Sequence, residues 1–155
     1  MSDVQQASDA CIELCSVRAG AITFGVPIMR ILEILGAPAT QPVPLAPSFI
    51  GGLVHYRGEV LTAVSLRSLL DLPEYESASD VLVIESPGGC FGLLVDAVGE
   101  VMTVLPEWME ANPSTLDDRR KRLFAGACKL KDGLLVMLDP DRLNPDRMDS
   151  MQLLH

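Results

Sequence analysis

The chain has 155 residues, 48% hydrophobic and 21% charged, enough to bury roughly two-thirds of its unfolded surface in one domain or two small interlocked modules. A formal net charge of -9 argues against nucleic acid and anionic lipid, which are bound mainly through Lys and Arg. No run of about 18 apolar residues could span a bilayer, and the opening MSDVQQASDA lacks the basic and apolar blocks of a signal peptide, so the expected location is the cytoplasm.

Residues 1–10 are small, polar and aperiodic and are expected to be flexible, as is the tail 145–155; residues 11–144 are read as one domain. Apolar segments of four to eight residues between Gly and Pro punctuation predict an all-β protein with a few short helices. The expected strands are 12–18, 21–25, 52–57, 60–66, 80–85, 91–95, 100–105, 126–131 and 134–138. Arg18-Ala19-Gly20, Arg57-Gly58-Glu59, Pro87-Gly88-Gly89 and Lys131-Asp132-Gly133 supply glycine where antiparallel hairpins need positive φ. Apolar residues at 28, 31, 32 and 35 have helical spacing and predict a short helix over Pro27 to Leu35. Single turns are expected at 67–72 and 106–111, and the proline-rich 37–47 is expected to be an extended connector.

The chain also repeats itself. GVPIMRILEIL (25–35) lies over GLLVDAVGEVM (92–102) at an offset of 67, and GLVHYRGEVLTAVSLRSL (52–69) lies over GACKLKDGLLVMLDPDRL (126–143) at an offset of 74. Two copies of about 60 residues would each be marginal alone, so they are expected to pack together or exchange strands around a shared core.

No catalytic signature is present: GxSxG, GxxxxGK[ST], GxGxxG and HExxH are all missing. Cys11, Cys15, Cys90 and Cys128 form no CxxC pair, and Cys11 and Cys15 on one strand would be about 13 Å apart, beyond disulfide reach. No metal, cofactor or catalytic residue is expected. A small hydrolase using Cys128 or His55 is the enzyme alternative, against core thiols and an ordinary strand histidine. The carboxylates Asp117 and Asp118 and the cluster Arg119, Arg120, Lys121 and Arg122 read as a solvated, self-compensated loop. Arg57, heading a hairpin, reads as a protein-contact anchor.

The segments GVPIMRILEIL, PSFIGGLVHYRGEVLTAVSLRSLL, DVLVIE, FGLLVDAVGEVMTV and LFAGACKLKDGLLVMLD resemble, in order, the CheW family of bacterial chemosensory coupling proteins over residues 12–143. The resemblance implies two intertwined five-stranded SH3-like β-barrels. It also implies a non-catalytic adaptor that couples chemoreceptors to the regulatory domain of a CheA-type histidine kinase, with other CheW-like domains as further partners. The adaptor would sit in the cytoplasm at membrane receptor arrays, with no nucleic-acid binding and no membrane insertion of its own. The alternative role is the same adaptor in a divergent, non-flagellar pathway. The receptor tip, a helical hairpin, would enter the groove between barrels, and Ile31, Glu33, Ile34, Arg57 and Gly58 match receptor-facing positions. Val95, Asp96, Val98 and Val101 match a second-barrel motif, as either the kinase or ring interface or core. This chain departs from the pattern at Ser65, often Asp in the family, and at His55-Tyr56, often Asn-Leu.

Overall fold

The computed structural model describes residues 11–73, 79–110, 122–131 and 133–145. The two expected flexible ends up to residue 10 and from 146, Asp132 of one expected turn, Asp117 and Asp118, and the basic positions 119–121 lie outside them.

Among the described residues, eleven strands and one short α-helix follow in order: β1 (Ile12–Ala19), β2 (Ile22–Pro27), β3 (Ile31–Leu35), β4 (Ile50–Tyr56), β5 (Glu59–Ser65), α1 (Leu66–Leu69), β6 (Asp80–Ile84), β7 (Phe91–Val95), β8 (Ala97–Val104), β9 (Met109–Glu110), β10 (Phe124–Leu130) and β11 (Gly133–Leu138). The four glycine-bearing turns join the antiparallel hairpins β1–β2, β4–β5, β6–β7 and β10–β11. At the β4–β5 turn Arg57 and Gly58 both take positive φ, 49° and 79°, as a two-residue mirror-image turn requires.

The expected helix over Pro27 to Leu35 is a correction. Only Ile28–Arg30 forms a 3-10 turn, entered without a side-chain cap, and the next five residues are strand β3. Helical and strand spacing both fit so short an apolar run. Here the free backbone of β6 decides: β3 pairs with it antiparallel, and the β-branched Ile31 and Ile34 suit an extended chain. The two-residue β9, also not expected, pairs with β10.

Two sheets result, with strand orders β8-β1-β2-β11-β10-β9 and β3-β6-β7-β5-β4. Each embeds a hairpin of one copy among strands of the other. Hairpin β1–β2 lies between β8 and β11 of the second copy, and hairpin β6–β7 lies between β3 and β5 of the first. The sequence offsets are visible in the register. Parallel pairing sets Gly25 opposite Met137 and Gly92 opposite Ala63, which are equivalent pairs under the repeat. The edge pairings Ile34 with Leu82 and Val101 with Cys15 are equivalent too. Even the bulges match: one lies between Ile50 and Gly52, the other between Phe124 and Gly126.

The sheets must curl. A flat six-stranded sheet would hold its edge strands about 24 Å apart, yet the five residue steps from Val104 on β8 to Met109 on β9 reach at most about 18 Å. The same holds for the other sheet, where Gln41, six steps after β3 ends at Leu35, bridges to Leu53 on the far edge strand β4. The hydrogen-bonded ladders themselves do not close among the described residues. Each curled unit has its own interior, Val54, Ala63 and Val81 with Leu35 and Leu94 in the first, and Leu14, Val104, Cys128, Leu135 and Met137 in the second. Between the units lies a larger shared core, including Val17, Phe24, Val26, Leu82, Ile84, Leu93, Val95 and Phe124. The fold is therefore two interleaved, barrel-like units that cannot be separated without opening a common core.

Candidate functional site

Edge strand β3 and the β4–β5 turn lie at opposite edges of their sheet in pairing order, and the curl brings them together. Arg57 Nη2 lies 3.6 Å from Glu33 Oε1 across the gap, with the arginine side chain 74% exposed. The guanidinium also sits over the Tyr56 ring, 5.4 Å from its centroid. An ion pair this exposed contributes under about 1 kcal/mol to stability, which leaves the guanidinium available to a partner. Gly58 beside it faces open space.

Alternation along β3 divides its side chains. Ile31 packs against the shared core and Leu35 against the first unit's interior, while Leu32 and Ile34 point outward, each 46% exposed. Met29, in the turn that precedes β3, is 88% exposed. Of the candidate receptor-facing residues, Glu33 meets Arg57 with Gly58 next to it in sequence, Ile34 is exposed on the outward side of the same edge strand, and Ile31 packs against the core. Met29 and Leu32 were missed because helical spacing assigned Leu32 to a buried face; a period of two over 31–35 was the signal that would have exposed it.

The second-barrel candidates do not form one surface. Val95 is 1% exposed in the shared core, Val98 packs against that core, and Val101 is 57% exposed on edge strand β8. Asp96 turns inward. Its Oδ2 accepts from Arg67 Nη1 at 2.5 Å and from the Gly20 amide at 2.8 Å, and its own amide donates to the Arg18 carbonyl. Side-chain exposures of 16% for Arg67 and 7% for Asp96 make this a largely buried ion pair.

Among the described residues, no group at the alternative catalytic positions lowers a thiol's pKa. Burial raises the Cys128 thiol above its ordinary value, and nearby Glu110 raises it further; burial raises Cys15 likewise. A thiol held neutral is a poor nucleophile. His55 is exposed on β4, and no group of three or more His, Cys, Asp or Glu among the described residues is arranged to hold a metal ion. Among the described residues no helix is long and apolar enough to cross a membrane.

The chain is similar to known proteins over most of its length. The CheW-like domain family matches residues 13–147. A chemotaxis protein CheW from Rhizobium meliloti is 28% identical over 135 residues, covering 86% of this chain and 87% of that protein. The protein FrzA of Myxococcus xanthus is 40% identical over a shorter stretch of 62 residues, 40% of this chain and 39% of its own. The crystal structure of the scaffolding protein TtCheW from Thermoanaerobacter tengcongensis superposes with a TM-score of 0.76 at 23% identity, covering 85% of this chain and 86% of that one. With a match over nearly its whole length, the chain belongs to the CheW-like domain family and is a non-catalytic adaptor of chemotaxis signalling.

Proposed function

We propose that this adaptor couples the cytoplasmic tip of a chemoreceptor to the regulatory domain of a CheA-type histidine kinase, working in the cytoplasm at a membrane receptor array. The supporting observation is the surface where Arg57 and Glu33 meet beside exposed Met29, Leu32 and Ile34. A helical hairpin offers a ridge of apolar side chains with polar flanks. An apolar strip ending in a displayed guanidinium suits that partner. Val101, exposed on β8 at the position equivalent to Ile34, is the corresponding contact for the kinase domain or another CheW-like domain. Residues 11–144 act as one domain in this reading, with the flanking ends outside it.

The test is binding of immobilised protein to a receptor-tip fragment and to the kinase regulatory domain from the same genome, with Arg57→Ala alongside. The expected result is saturable binding to both, with receptor affinity reduced about tenfold or more in a normally folded Arg57→Ala protein. Failure of the folded wild type to bind either partner would refute the coupling role. Unchanged receptor binding by Arg57→Ala would move the receptor surface elsewhere.

A further inference from the structure

Besides the hydrophobic core and the exchanged strands, two ion pairs among the described residues join the first copy to the second. Arg67, which follows β5 in the first copy, meets Asp96 at the β7–β8 bend of the second at 2.5 Å. Arg30, at the β2–β3 bend of the first copy, meets Asp141, which follows β11 in the second, at 2.6 Å. The repeat relates them. Arg67 and Asp141 are equivalent at the offset of 74, and Asp96 is equivalent at the offset of 67 to Met29, the neighbour of Arg30.

The same device is thus built twice, clipping the end of one copy to the central bend of the other, with the charges exchanged. Each clip also gathers backbone. Asp96 holds the Gly20 amide of the β1–β2 turn, and Arg67 Nε donates to the Pro73 carbonyl. Arg30 donates from Nε and Nη2 to the Glu85 carbonyl, while the Glu85 amide donates to the Arg30 carbonyl.

We propose that Arg67–Asp96 and Arg30–Asp141 are paired staples whose role is to fix the angle between the two barrel-like units, and so the width of the seam that the receptor tip enters. The part concerning the seam rests on the coupling function proposed above. These four are positioning residues, not partner contacts. Their inequality has a consequence. Arg67 and Asp96 are 16% and 7% exposed, whereas Arg30 and Asp141 are 29% and 43% exposed. The less exposed staple is the fixed pivot, and the more exposed one, at the root of β3, is the side on which the seam yields. Asp96 Oδ1 is buried with no hydrogen-bond partner. An oxygen left in that state costs stability, which fits a pair retained for geometry.

The experiment is amide hydrogen exchange on the free protein, which needs no partner, followed by receptor-tip binding on the same samples. Asp141→Asn is expected to speed exchange of the Glu85 amide and of the β3–β6 ladder by about two- to fivefold, with the Gly20 amide unaffected. The exchanged pair Arg30→Asp with Asp141→Arg is expected to restore the rates only in part, because an aspartate at position 30 pairs with the new arginine but cannot donate to the Glu85 carbonyl. Asp96→Asn, which removes the charge facing Arg67 and weakens the acceptor of the Gly20 amide, is expected to speed exchange of that amide about tenfold or more. Should that variant not fold, the apolar double variant Arg67→Met with Asp96→Leu supplies the same reading without a charge at either position. Exchange unchanged at Glu85 in Asp141→Asn, or at Gly20 in both Asp96 variants, overturns the staples. Faster exchange together with unchanged receptor-tip affinity overturns their control of the seam, while leaving the coupling function to its own test. Altered exchange with altered affinity, both partly restored by the exchanged pair, supports the whole proposal.

Discussion

Phe24→Ala tests whether the two units stand or fall together. Phe24, on β2 of the first copy, is 1% exposed, and its ring lies 5.8 Å from that of Phe124 on β10 of the second, tilted by 36°. Removing a fully buried phenyl group leaves a cavity in the shared core and ends the ring contact, at a cost of about 3–5 kcal/mol. At about 2–4 °C per kcal/mol for a chain of this size, the melting temperature should fall by about 6–20 °C. Urea unfolding followed by far-ultraviolet circular dichroism and by fluorescence of the single tryptophan, Trp108, separates the alternatives. Dichroism reports both sheets, and Trp108 reports the turn between β8 and β9 in the second copy. Interleaving predicts one transition, coincident by both probes, moved to lower urea with unchanged slope. Two separated transitions, or a Trp108 signal that stays while dichroism is lost, would refute a common core, and a loss below about 1 kcal/mol would refute its tight packing.

Gly52→Ala should cost about 2 kcal/mol or more by urea titration, because φ is +144° there and an added Cβ would lie 2.7 Å from the Gln41 carbonyl oxygen. Gly88→Ala, where a Cβ meets nothing, should change stability by less than about 0.5 kcal/mol. Ser65→Ala removes the cap that accepts the Ser68 amide at 3.2 Å and should cost about 1 kcal/mol by the same titration, which bears on the family departure at this position. Burial raises the Cys15 and Cys128 thiols above their ordinary value of 9.0, so the native state retains their protons where the unfolded chain loses them. Stability should therefore be unaffected by these groups below pH 9.0 and fall as pH rises above it, and Cys15→Ala with Cys128→Ala should flatten that alkaline limb in parallel denaturation curves.

Much of the fold is written in local chemistry. Gly20, Gly58, Gly89 and Gly133 sit at positive φ, and all four hairpins were legible from turn residues alone because glycine there has a backbone reason. The repeat was legible for a similar reason: equivalent glycines and aliphatics occupy equivalent register positions. The identity of β3 was not. Its apolar spacing suits a helix as well as a strand, and the deciding partner, β6, lies about 50 residues away in sequence. Contacts made by folding were likewise invisible. No local pattern joins Glu33 to Arg57, or turns Asp96 towards Arg67, and Asp96 and Val101 differ in burial although both belong to one motif.

Duplication explains why this small protein can leave its edges unpaired. Under the repeat, Ala63 and Val81 inside the first unit correspond to Met137 and Leu14 inside the second, so the first interior holds less apolar volume. At about 0.8 kcal/mol per buried methylene, that difference amounts to a few kcal/mol that the first unit must draw from the shared core. It does so by lending its β1–β2 hairpin to the other sheet and receiving β6–β7 in return. With β6 and β7 buried at the centre of its sheet, the first unit can hold β3 at the edge, Leu32 and Ile34 uncovered, without collapse. A closed, independent barrel of the same size would have needed those side chains for its own interior. Exposed apolar residues on an edge strand are otherwise a liability for aggregation. Here the bulge between Ile31 and Glu33, and Glu33 itself with its arginine partner, interrupt the strand's regular edge. The strand exchange that stabilises the fold is therefore also what frees an apolar edge for a partner.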